Sequence, residues 1–459
     1  MYQETVEKQR AFFTTDVTRS YRFRMDQLGK LETGIRTYEP ELYDALSEDL
    51  GKNKAEAYTT EIGFVLKSIR ETRKKLKAWM KPRRAGNPLF LFGSRSFTVW
   101  EPYGVTLIIS PFNYPVQLAL EPLVAALSAG NTAIIKLSEL TPHVSAVLSQ
   151  LISTTFDAGL VTTVEGDAQA TTELLKERFD YIFFTGSPRV GSLVMQAASL
   201  HLTPVTLELG GKSPAIVCAD APLAHAARSI AWGKFLNAGQ TCVAPDYVLV
   251  DKMVKDEFID EMKKAITEFY GDNPQLSPDY GRIVTTRHWQ RLIHLMDGLQ
   301  GKTVLGGNGI ETDRYIAPTI VADASWDDAV MQEEIFGPIL PIISYDGRRF
   351  SEDVIAEVRT HEKPLALYLF TQDKKIKDAV VQSLSFGGGV MNGTILHLTN
   401  SNLPFGGVGQ SGMGSYHGIY GYRTFSHQKA LIDVNRFLPL GIMYPPHSKG
   451  KQKLIKKLL

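Results

Sequence analysis

Apolar residues recur at helical spacing through the first 80 positions of the chain. The repeats are Met25-Leu28-Leu31-Ile35, Leu42-Leu46-Leu50 and Tyr58-Ile62-Val65-Ile69. Spacings of three and four residues are typical of helices with one buried face. We therefore expect helices here, interrupted at Glu39-Pro40 and Leu50-Gly51.

Residues 81–100 break this pattern with proline, glycine and β-prone residues. The runs 89–92 and 97–100 flank Gly93-Ser94. Two such runs on either side of a turn predict an extended excursion or hairpin that leaves the domain it interrupts.

From residue 103 onward, short apolar runs alternate with helical segments. The predicted strands are residues 105–109, 132–136, 161–164, 181–184 and 205–209, followed by 215–217, 247–250, 339–343 and 365–370. Strands without a polar face, linked by helices such as 115–128 and 255–269, are typical of parallel sheets covered on both sides. The pattern predicts an α/β protein with two open units in tandem and a hinge near Gly210-Gly211.

The composition suits a folded chain of two or three domains. The 459 residues are 44% apolar and 22% charged, with a formal net charge of +1. This balance excludes wholesale disorder and gives no general surface for nucleic acid. Residues 1–8 lack the basic and then apolar order of a signal peptide. No apolar run is long enough to cross a bilayer, so we expect a cytoplasmic protein.

The last eleven residues form a basic tail. Residues 449–459 contain five lysines and no acidic residue. The tail is interpreted either as a solvated extension or as a basic amphipathic segment that makes weak peripheral contact with anionic membrane lipid.

The two cysteines differ in their surroundings. Two are too few for a disulfide framework or a Cys-rich zinc site, and we expect no metal centre. Cys218 ends the apolar run 215–217 and is interpreted as a core residue. Cys242 lies in the polar loop 237–242 before a predicted strand, where a thiolate could be reached and stabilised. A structural role for Cys242 is the alternative.

Glu208 is a carboxylate at the end of an otherwise apolar strand. In an open α/β sheet the ligand crevice lies beyond the carboxyl ends of the strands. Partial burial there would raise the pKa of Glu208 and suit it to general base catalysis. The alternative is a carboxylate that caps a helix or pairs with a lysine.

A strand turns into a helix through Gly186-Ser187. Glycine lets main-chain N–H groups approach a ligand, and a helix N-terminus favours a phosphate. The segment matches neither the G-x-G-x-x-G pattern nor a Walker loop, so a turn without a ligand is an equal interpretation.

Asn113 follows the first predicted strand, and its amide either donates to an oxyanion or caps a turn. Glu334 stands two residues before Phe336, a pairing that suits ribose hydroxyls beside a planar ring. The alternative is a loop with a packed phenylalanine. An apolar pocket, or ordinary core, would contain Tyr114, Trp232 and Phe405.

Together these segments resemble the NAD(P)-dependent aldehyde dehydrogenase family, and the match covers nearly the whole chain. Residues 206–212 and the loop ending at Cys242 are similar to its two signatures, and their separation also fits. Residues 111–115, 184–187 and 334–338 match further motifs in the expected order. The run 403–418 and the short N-terminus resemble the class 3, fatty-aldehyde-like branch.

The resemblance implies an aldehyde dehydrogenase-like fold with two doubly wound parallel-sheet domains and a small β arm used in dimerisation. The cofactor-binding Rossmann-like domain would comprise residues 1–80 and 101–209, and the catalytic domain residues 210–393. Residues 81–100 and 394–436 would form the arm, with a strand near 425–433, and the active-site C-terminal segment. Residues 437–459 would be the basic tail of a homodimer.

The resemblance also implies the cofactor contacts. Leu137 stands where the family usually has proline, and Glu139 where some members exclude a 2′-phosphate. Since class 3-like enzymes often accept both cofactors, NAD and NADP both stay open. The matching positions are Lys136 for the adenosine ribose, Gly186, Ser187, Val190 and Gly191 in the turn, and Glu334 beside Phe336 for the nicotinamide ribose.

The implied reaction oxidises an aldehyde to a carboxylic acid. The Cys242 thiolate attacks the aldehyde, and the Asn113 amide and the Cys242 N–H hold the oxyanion of the thiohemiacetal. Hydride transfer leaves a thioester, which is hydrolysed by water that Glu208 activates. The class 3 resemblance favours medium- or long-chain aliphatic or aromatic aldehydes.

Three other functions stay open. An acylating enzyme of the same fold would pass the acyl group to coenzyme A, although such enzymes usually lack the glutamate found at Glu208. A thiol esterase that uses Cys242 would need no nicotinamide. A ligand-binding or structural protein could keep the fold, although intact Cys242, Glu208 and Asn113 argue against it.

Overall fold

The helical start of the chain is confirmed in the computed structural model, which describes residues 2–438 and 440–458. Ser20 begins the second helix because its side-chain oxygen accepts the N–H of Phe23, and Gly51 ends the third at a φ of 65°. The helices are α1 Gln3–Phe13, α2 Tyr21–Thr37, α3 Glu39–Leu50, α4 Lys54–Ala57, α5 Gly63–Trp79, α6 Pro115–Ala129, α7 Pro142–Thr155, α8 Ala168–Leu174, α9 Pro188–Ser199, α10 Leu223–Phe235, α11 Lys255–Tyr270, α12 Thr286–Leu295, α13 Ala329–Gln332, α14 Glu357–Thr360, α15 Lys374–Ser383, α16 Gly418–Thr424 and α17 Lys449–Leu458.

The predicted parallel strands are all present, with ends shifted by no more than two residues. The strands are β1 Arg83–Ala85, β2 Arg95–Pro102, β3 Val105–Ile109, β4 Thr132–Lys136, β5 Val161–Val164, β6 Tyr181–Thr185, β7 Val205–Glu208, β8 Pro214–Val217, β9 Tyr247–Asp251, β10 Thr303–Leu305, β11 Gly309–Ile310, β12 Tyr315–Ile316, β13 Thr319–Val321, β14 Ile339–Tyr345, β15 Ala366–Phe370, β16 Gly388–Met391, β17 Gly412–Met413 and β18 Ser426–Asp433.

The first sheet is parallel except for one edge strand. Its order is β17-β7-β6-β3-β4-β5, and β17 runs antiparallel to β7. Side chains of β3 alternate between two apolar layers: Ile108 packs into the layer of Leu120 in α6, and Leu107 into that of Val194 in α9. Helices therefore cover both faces, which explains why the strands lack a polar side.

The second sheet follows directly after Gly210-Gly211. Its order is β10-β13-β14-β9-β8-β15-β16, parallel except for β10 against β13. The chain leaves the first sheet at Glu208 and enters the second at Pro214. The α/β fold with two parallel sheets is confirmed, and the end of β7 lies where the chain passes between them.

A three-stranded antiparallel sheet, β1-β2-β18, forms a small arm. The excursion contains an antiparallel hairpin, as expected, and pairs with the predicted C-terminal strand, but the first strand of the hairpin is β1 and not residues 89–92. Leu89–Leu91 form a 3-10 turn, and β2 pairs with β1 instead. Pro88 has no N–H to donate to a ladder, and its carbonyl accepts the N–H of Leu91 within the turn.

Among the helices of residues 2–438 and 440–458, none combines the length and the apolar character needed to cross a bilayer. In the same residues no three His, Cys, Asp or Glu side chains are grouped to hold a metal ion.

Candidate active site

A cavity of about 530 Å³ lies at the carboxyl ends of β6 and β7. Loops that precede β9 and β14, the turn after β3, and α12 form the rest of its wall. The structure brings seven of the predicted site residues to this cavity. They are Asn113, Gly186, Ser187, Glu208, Cys242, Glu334 and Phe336.

The loop that leads to Cys242 has a strained backbone. Asn237 and Ala238 both have a φ of 52°, an uncommon conformation for residues with a Cβ. At Gly239 the φ is 77°, and a Cβ there would clash with the main chain of the neighbouring loop. The N–H of Asn237 donates to Glu56 at 3.0 Å, which helps to hold this conformation.

The Cys242 thiol lies beside two carboxyls. The side chain is partly buried in the cavity wall. Burial, and then the negative charges of Glu334 and Glu208, raise the pKa of Cys242 to about 12. A reachable and stabilised thiolate at Cys242 stays a prediction. Cys218 is a core residue, and burial raises its pKa to about 11.

Glu208 is a buried carboxyl with no hydrogen-bond partner for either oxygen among the described residues. It therefore neither caps a helix nor pairs with a lysine in that part of the chain. Burial raises the pKa of Glu208 well above its usual value. Once ionised, such a carboxylate is a stronger base than an exposed one, and it shares the cavity with Cys242.

Asn113 lies in the cavity wall beside the Cys242 loop. Its Nδ2 donates to the main-chain oxygen of Gln240 at 3.0 Å. Because a side-chain amide carries two N–H groups, one donor remains for an oxygen in the cavity. The main-chain oxygen of Asn113 accepts from Lys52 Nζ at 2.9 Å and from Asn237 Nδ2 at 2.8 Å. Both the side chain and the main chain of Asn113 are thus anchored.

The loop before β14 carries Glu334 and is held by charged residues. Lys212 Nζ donates to the main-chain oxygen of Glu333 at 2.8 Å, and Arg291 lies 2.6 Å from the Glu333 carboxylate. Glu334 packs so closely on Gly210 that a Cβ at that position would clash with its carboxyl. Burial raises the pKa of Glu334 to about 8.

The cavity wall fits a dinucleotide. Ser187 precedes α9, and Arg189 lies in its first turn, so a helix N-terminus and a cation face one part of the cavity. Glu334 offers a carboxyl for ribose hydroxyls. Phe336 offers a flat apolar surface, with its ring centroid 5.8 Å from that of Phe112. The helix N-terminus and Arg189 suit a phosphate, Glu334 suits a sugar, and Phe336 suits a planar ring.

Three predicted cofactor residues, Lys136, Val190 and Gly191, lie outside the lining of this cavity. The Lys136 ammonium lies 3.5 Å from the Glu139 carboxylate, and burial lowers the pKa of Lys136. Gly191 is buried in α9, where a Cβ would lie 2.9 Å from Leu209. Contact of these three residues with a cofactor stays a prediction.

The three aromatic residues predicted for an apolar pocket also lie outside this lining. The hydroxyl of Tyr114 is 2.6 Å from Thr241 Oγ1. The ring of Phe405 stacks on His417 with centroids 5.2 Å apart, and Trp232 is 39% exposed on α10. Their role in binding a substrate stays a prediction.

Two pairs of residues near the cavity are absent from the sequence-based predictions. His288 and Arg291 line the cavity from α12. Their three-residue spacing places them on one helix face, a signal that the sequence does contain. Lys52 and Glu61 hold the main chain of the segment around Asn113 from behind. No local pattern marks them, because lysine and glutamate in a helical region predict an exposed face.

The chain is similar to known proteins over nearly its whole length. A model of the aldehyde dehydrogenase family matches residues 2–431. The 4,4′-diaponeurosporen-aldehyde dehydrogenase of Staphylococcus aureus is 52% identical, covering 97% of this chain and 96% of that protein. The dimeric NADP-preferring aldehyde dehydrogenase of Canis lupus familiaris is 44% identical, covering 96% and 97%. A solved structure of Staphylococcus aureus AldH in a substrate-bound state has a TM-score of 0.97 and 51% identity, covering 100% and 99%.

Proposed function

Since the chain belongs to the aldehyde dehydrogenase family, we propose that Cys242, Glu208 and Asn113 carry its reaction as nucleophile, general base and oxyanion donor. The protein is an oxidoreductase that converts aldehydes to carboxylic acids with NAD or NADP. The observation that supports these roles most strongly is the buried carboxyl of Glu208, without a partner among the described residues, in the same cavity as Cys242.

Cys242 forms the covalent bond to substrate. The thiol gives its proton to water, and Sγ attacks the carbonyl carbon as the C=O π bond breaks and its electron pair moves to the oxygen. The second N–H of Asn113 and the main-chain N–H of Cys242 donate to the oxygen that becomes negative. Glu334 and Phe336 would hold NAD or NADP, which would supply the hydride acceptor for this carbon. Cys242 then carries the acyl group as a thioester.

Glu208 acts in the second half of the reaction. Its carboxylate takes a proton from water, and the resulting hydroxide attacks the thioester carbon. The C–S bond breaks, the acid leaves, and the proton that Glu208 took from water returns to the sulfur, which regenerates the Cys242 thiol and the Glu208 carboxylate. A carboxyl whose oxygens already accept hydrogen bonds would lose them in this step, whereas Glu208 has none to lose among the described residues.

Removing the nucleophile tests the assignment directly. Cys242→Ala should lower the rate of aldehyde oxidation by roughly 10⁴-fold or more, because no covalent intermediate can form. The measurement is the absorbance of reduced cofactor, with Cys218→Ala as the matched control at the other cysteine. Full activity in Cys242→Ala would remove Cys242 from the mechanism.

Hydrolysis, rather than transfer to coenzyme A, is the proposed fate of the thioester. The position of Glu208 in the cavity with Cys242 supports this choice. Product analysis with and without coenzyme A decides it, and a strict requirement for coenzyme A would reverse the proposal.

The proposed substrates are medium- or long-chain aliphatic or aromatic aldehydes, with Tyr114, Trp232 and Phe405 as pocket residues. The staphylococcal relative is named for 4,4′-diaponeurosporen-aldehyde, which supports an apolar substrate. Rates measured with NAD and with NADP over aldehydes of graded chain length check this, and equal rates throughout would contradict it.

We also propose the division into a cofactor-binding domain (1–80 and 101–209), a catalytic domain (210–393), an arm with the C-terminal segment (81–100 and 394–436) and a basic tail (437–459).

We further propose that the protein is a cytoplasmic homodimer. β18 is one of the two edge strands of the arm and is largely exposed, which leaves it free to pair with a second copy. The canine relative is named as dimeric. Sedimentation should give twice the mass of the chain.

The basic tail is proposed to make weak contact with anionic lipid. α17 carries its lysines on a helix, and Leu454 in the same helix is 49% exposed. Sedimentation with phosphatidylserine vesicles should retain part of the protein at low salt and release it at high salt. Protein that stays wholly in the supernatant at low salt would contradict the contact.

A further inference from the structure

A buried ion pair lies directly behind the segment that carries Asn113. The side chains of Lys52 and Glu61 are both 0% exposed, and Nζ lies 2.7 Å from Oε1. Neither residue lines the cavity. Two charges removed from water are unfavourable unless further hydrogen bonds compensate them. The partners of this pair therefore show what it holds in place.

Both members of the pair bond to the main chain around Asn113. Lys52 Nζ donates to the main-chain oxygen of Asn113 at 2.9 Å. Glu61 Oε2 accepts the N–H groups of Val116 and Gln117, at 3.0 and 2.8 Å, in the first turn of α6. The pair thus holds the chain on both sides of Tyr114.

Tyr114, which lies between these contacts in the chain, is held as well. Lys52 Nζ lies 4.0 Å from the centroid of the Tyr114 ring, a cation–π distance. The hydroxyl of Tyr114 is 2.6 Å from Thr241 Oγ1, next to Cys242. One ammonium therefore contacts the main chain of Asn113 and a side chain that reaches the nucleophile loop.

The direction of the Asn113 amide depends on this main chain. One N–H of the amide is fixed to the Gln240 main-chain oxygen. A small shift of the Asn113 main chain would either break that bond or turn the second N–H away from the cavity. Oxyanion donors act only when they are held within a fraction of an ångström of the productive position.

We propose that Lys52 and Glu61 are positioning residues for the oxyanion donor. They hold the main chain of residues 113–117 so that the second N–H of the Asn113 amide is directed at the carbonyl oxygen of the aldehyde. This inference rests on the proposed role of Asn113. Neither Lys52 nor Glu61 touches substrate, and neither exchanges a proton in the reaction.

The first test is Lys52→Met, which keeps the apolar stem and removes the donor. We expect kcat for aldehyde oxidation to fall roughly 10- to 100-fold, because a misplaced donor loses much of its effect. The Kd for NADP should stay within about twofold, since the cavity lining is unchanged. The matched control is Lys302→Met, which breaks the Lys302–Asp328 pair outside the lining and should leave kcat within about twofold.

A second variant separates positioning from stability. Lys52→Met alone leaves the Glu61 carboxylate buried without its cation. Lys52→Met/Glu61→Gln removes both charges, and we expect Tm to recover toward the wild-type value while kcat stays low. If kcat recovers together with Tm, the pair is structural only and the inference is overturned.

A double-mutant cycle with Asn113→Ala completes the test. If the pair acts through Asn113, Lys52→Met should lower kcat no further in the Asn113→Ala background. Additive losses would show that Lys52 acts elsewhere and would overturn the inference. If Asn113→Ala alone keeps full kcat, the proposed oxyanion donor is wrong, and positioning fails with it. If Asn113→Ala lowers kcat and Lys52→Met does not, only positioning fails.

Discussion

Two buried glutamates, Glu208 in the cavity and Glu61 outside its lining, differ in their hydrogen bonding. Glu208 is 3% exposed and Glu61 is 0% exposed. Among the described residues, neither oxygen of Glu208 has a hydrogen-bond partner. Glu61, by contrast, accepts hydrogen bonds from Lys52, Val116 and Gln117. Burial without partners is unfavourable for a polar group, so Glu208 is the exception that needs a reason.

The difference in hydrogen bonding distinguishes a carboxyl that can take part in the reaction from one that holds the main chain. A carboxylate with free oxygens can take a proton from a water molecule in the cavity, where Glu208 lies. A carboxylate with filled oxygens would first have to break its bonds, and those of Glu61 hold the first turn of α6. We therefore assign the reaction to Glu208 and the position of Asn113 to Glu61.

The largest effect expected from this comparison is a loss of catalytic rate in the Glu208→Gln variant. The amide cannot take a proton from water, so kcat should fall by roughly 10²–10⁴-fold. The first turnover should still produce reduced cofactor, because Cys242 is intact and the thioester accumulates. Tm should not fall, because a neutral amide replaces a carboxyl that had no partner to lose among the described residues. Stopped-flow absorbance and thermal unfolding measure the two parts.

Glu257→Gln is the matched control for this variant. Glu257 is an exposed residue of α11, so the same substitution there should change neither kcat nor Tm. A wild-type kcat in Glu208→Gln would contradict the assignment of the reaction to Glu208.

The sequence predicts the strands well because their burial is uniform. Central strands such as β3 and β4 are buried at every residue, which makes each an unbroken apolar run. The first strand of the arm is misplaced because β propensity near residues 89–92 does not identify a partner. β2 pairs with β1 and with β18, which lies more than 300 residues away in the chain.

The same reasoning explains which residues of the site the sequence predicts and which it does not. Glu208 is predictable because a carboxylate at the end of an apolar strand breaks the local pattern. Lys52 and Glu61 are not predictable in this way, since their burial depends on a turn 55 to 61 residues further along the chain. The pKa of Cys242 also depends on such distant residues, because Glu208 and Glu334 approach it only in the folded chain.

The next effect in size is on the stability of Glu61→Gln. This change leaves the Lys52 ammonium buried without its counter-charge, which should lower the free energy of unfolding by about 3–5 kcal/mol. Urea unfolding measures it. Asp328→Asn is the matched control, because it breaks the partly exposed pair with Lys302 and should cost about 1 kcal/mol or less. Equal losses in the two variants would mean that burial of the Lys52–Glu61 pair makes no difference.

The smallest effect per step is a pH dependence of stability that Glu208→Gln should remove in part. A glutamate ionises near 4.5 when exposed, and burial raises the pKa of Glu208 well above that value. Above pH 4.5 the folded state therefore holds a proton that the unfolded state has lost, and stability falls as pH rises toward the raised pKa. Relative to wild type, Glu208→Gln should gain roughly 1.4 kcal/mol per pH unit across this window and nothing below it. Catalysis should change in the opposite direction, because the base works only when ionised. Urea midpoints of both proteins over the same pH series measure the gain, and a flat difference would show that Glu208 ionises like an exposed glutamate.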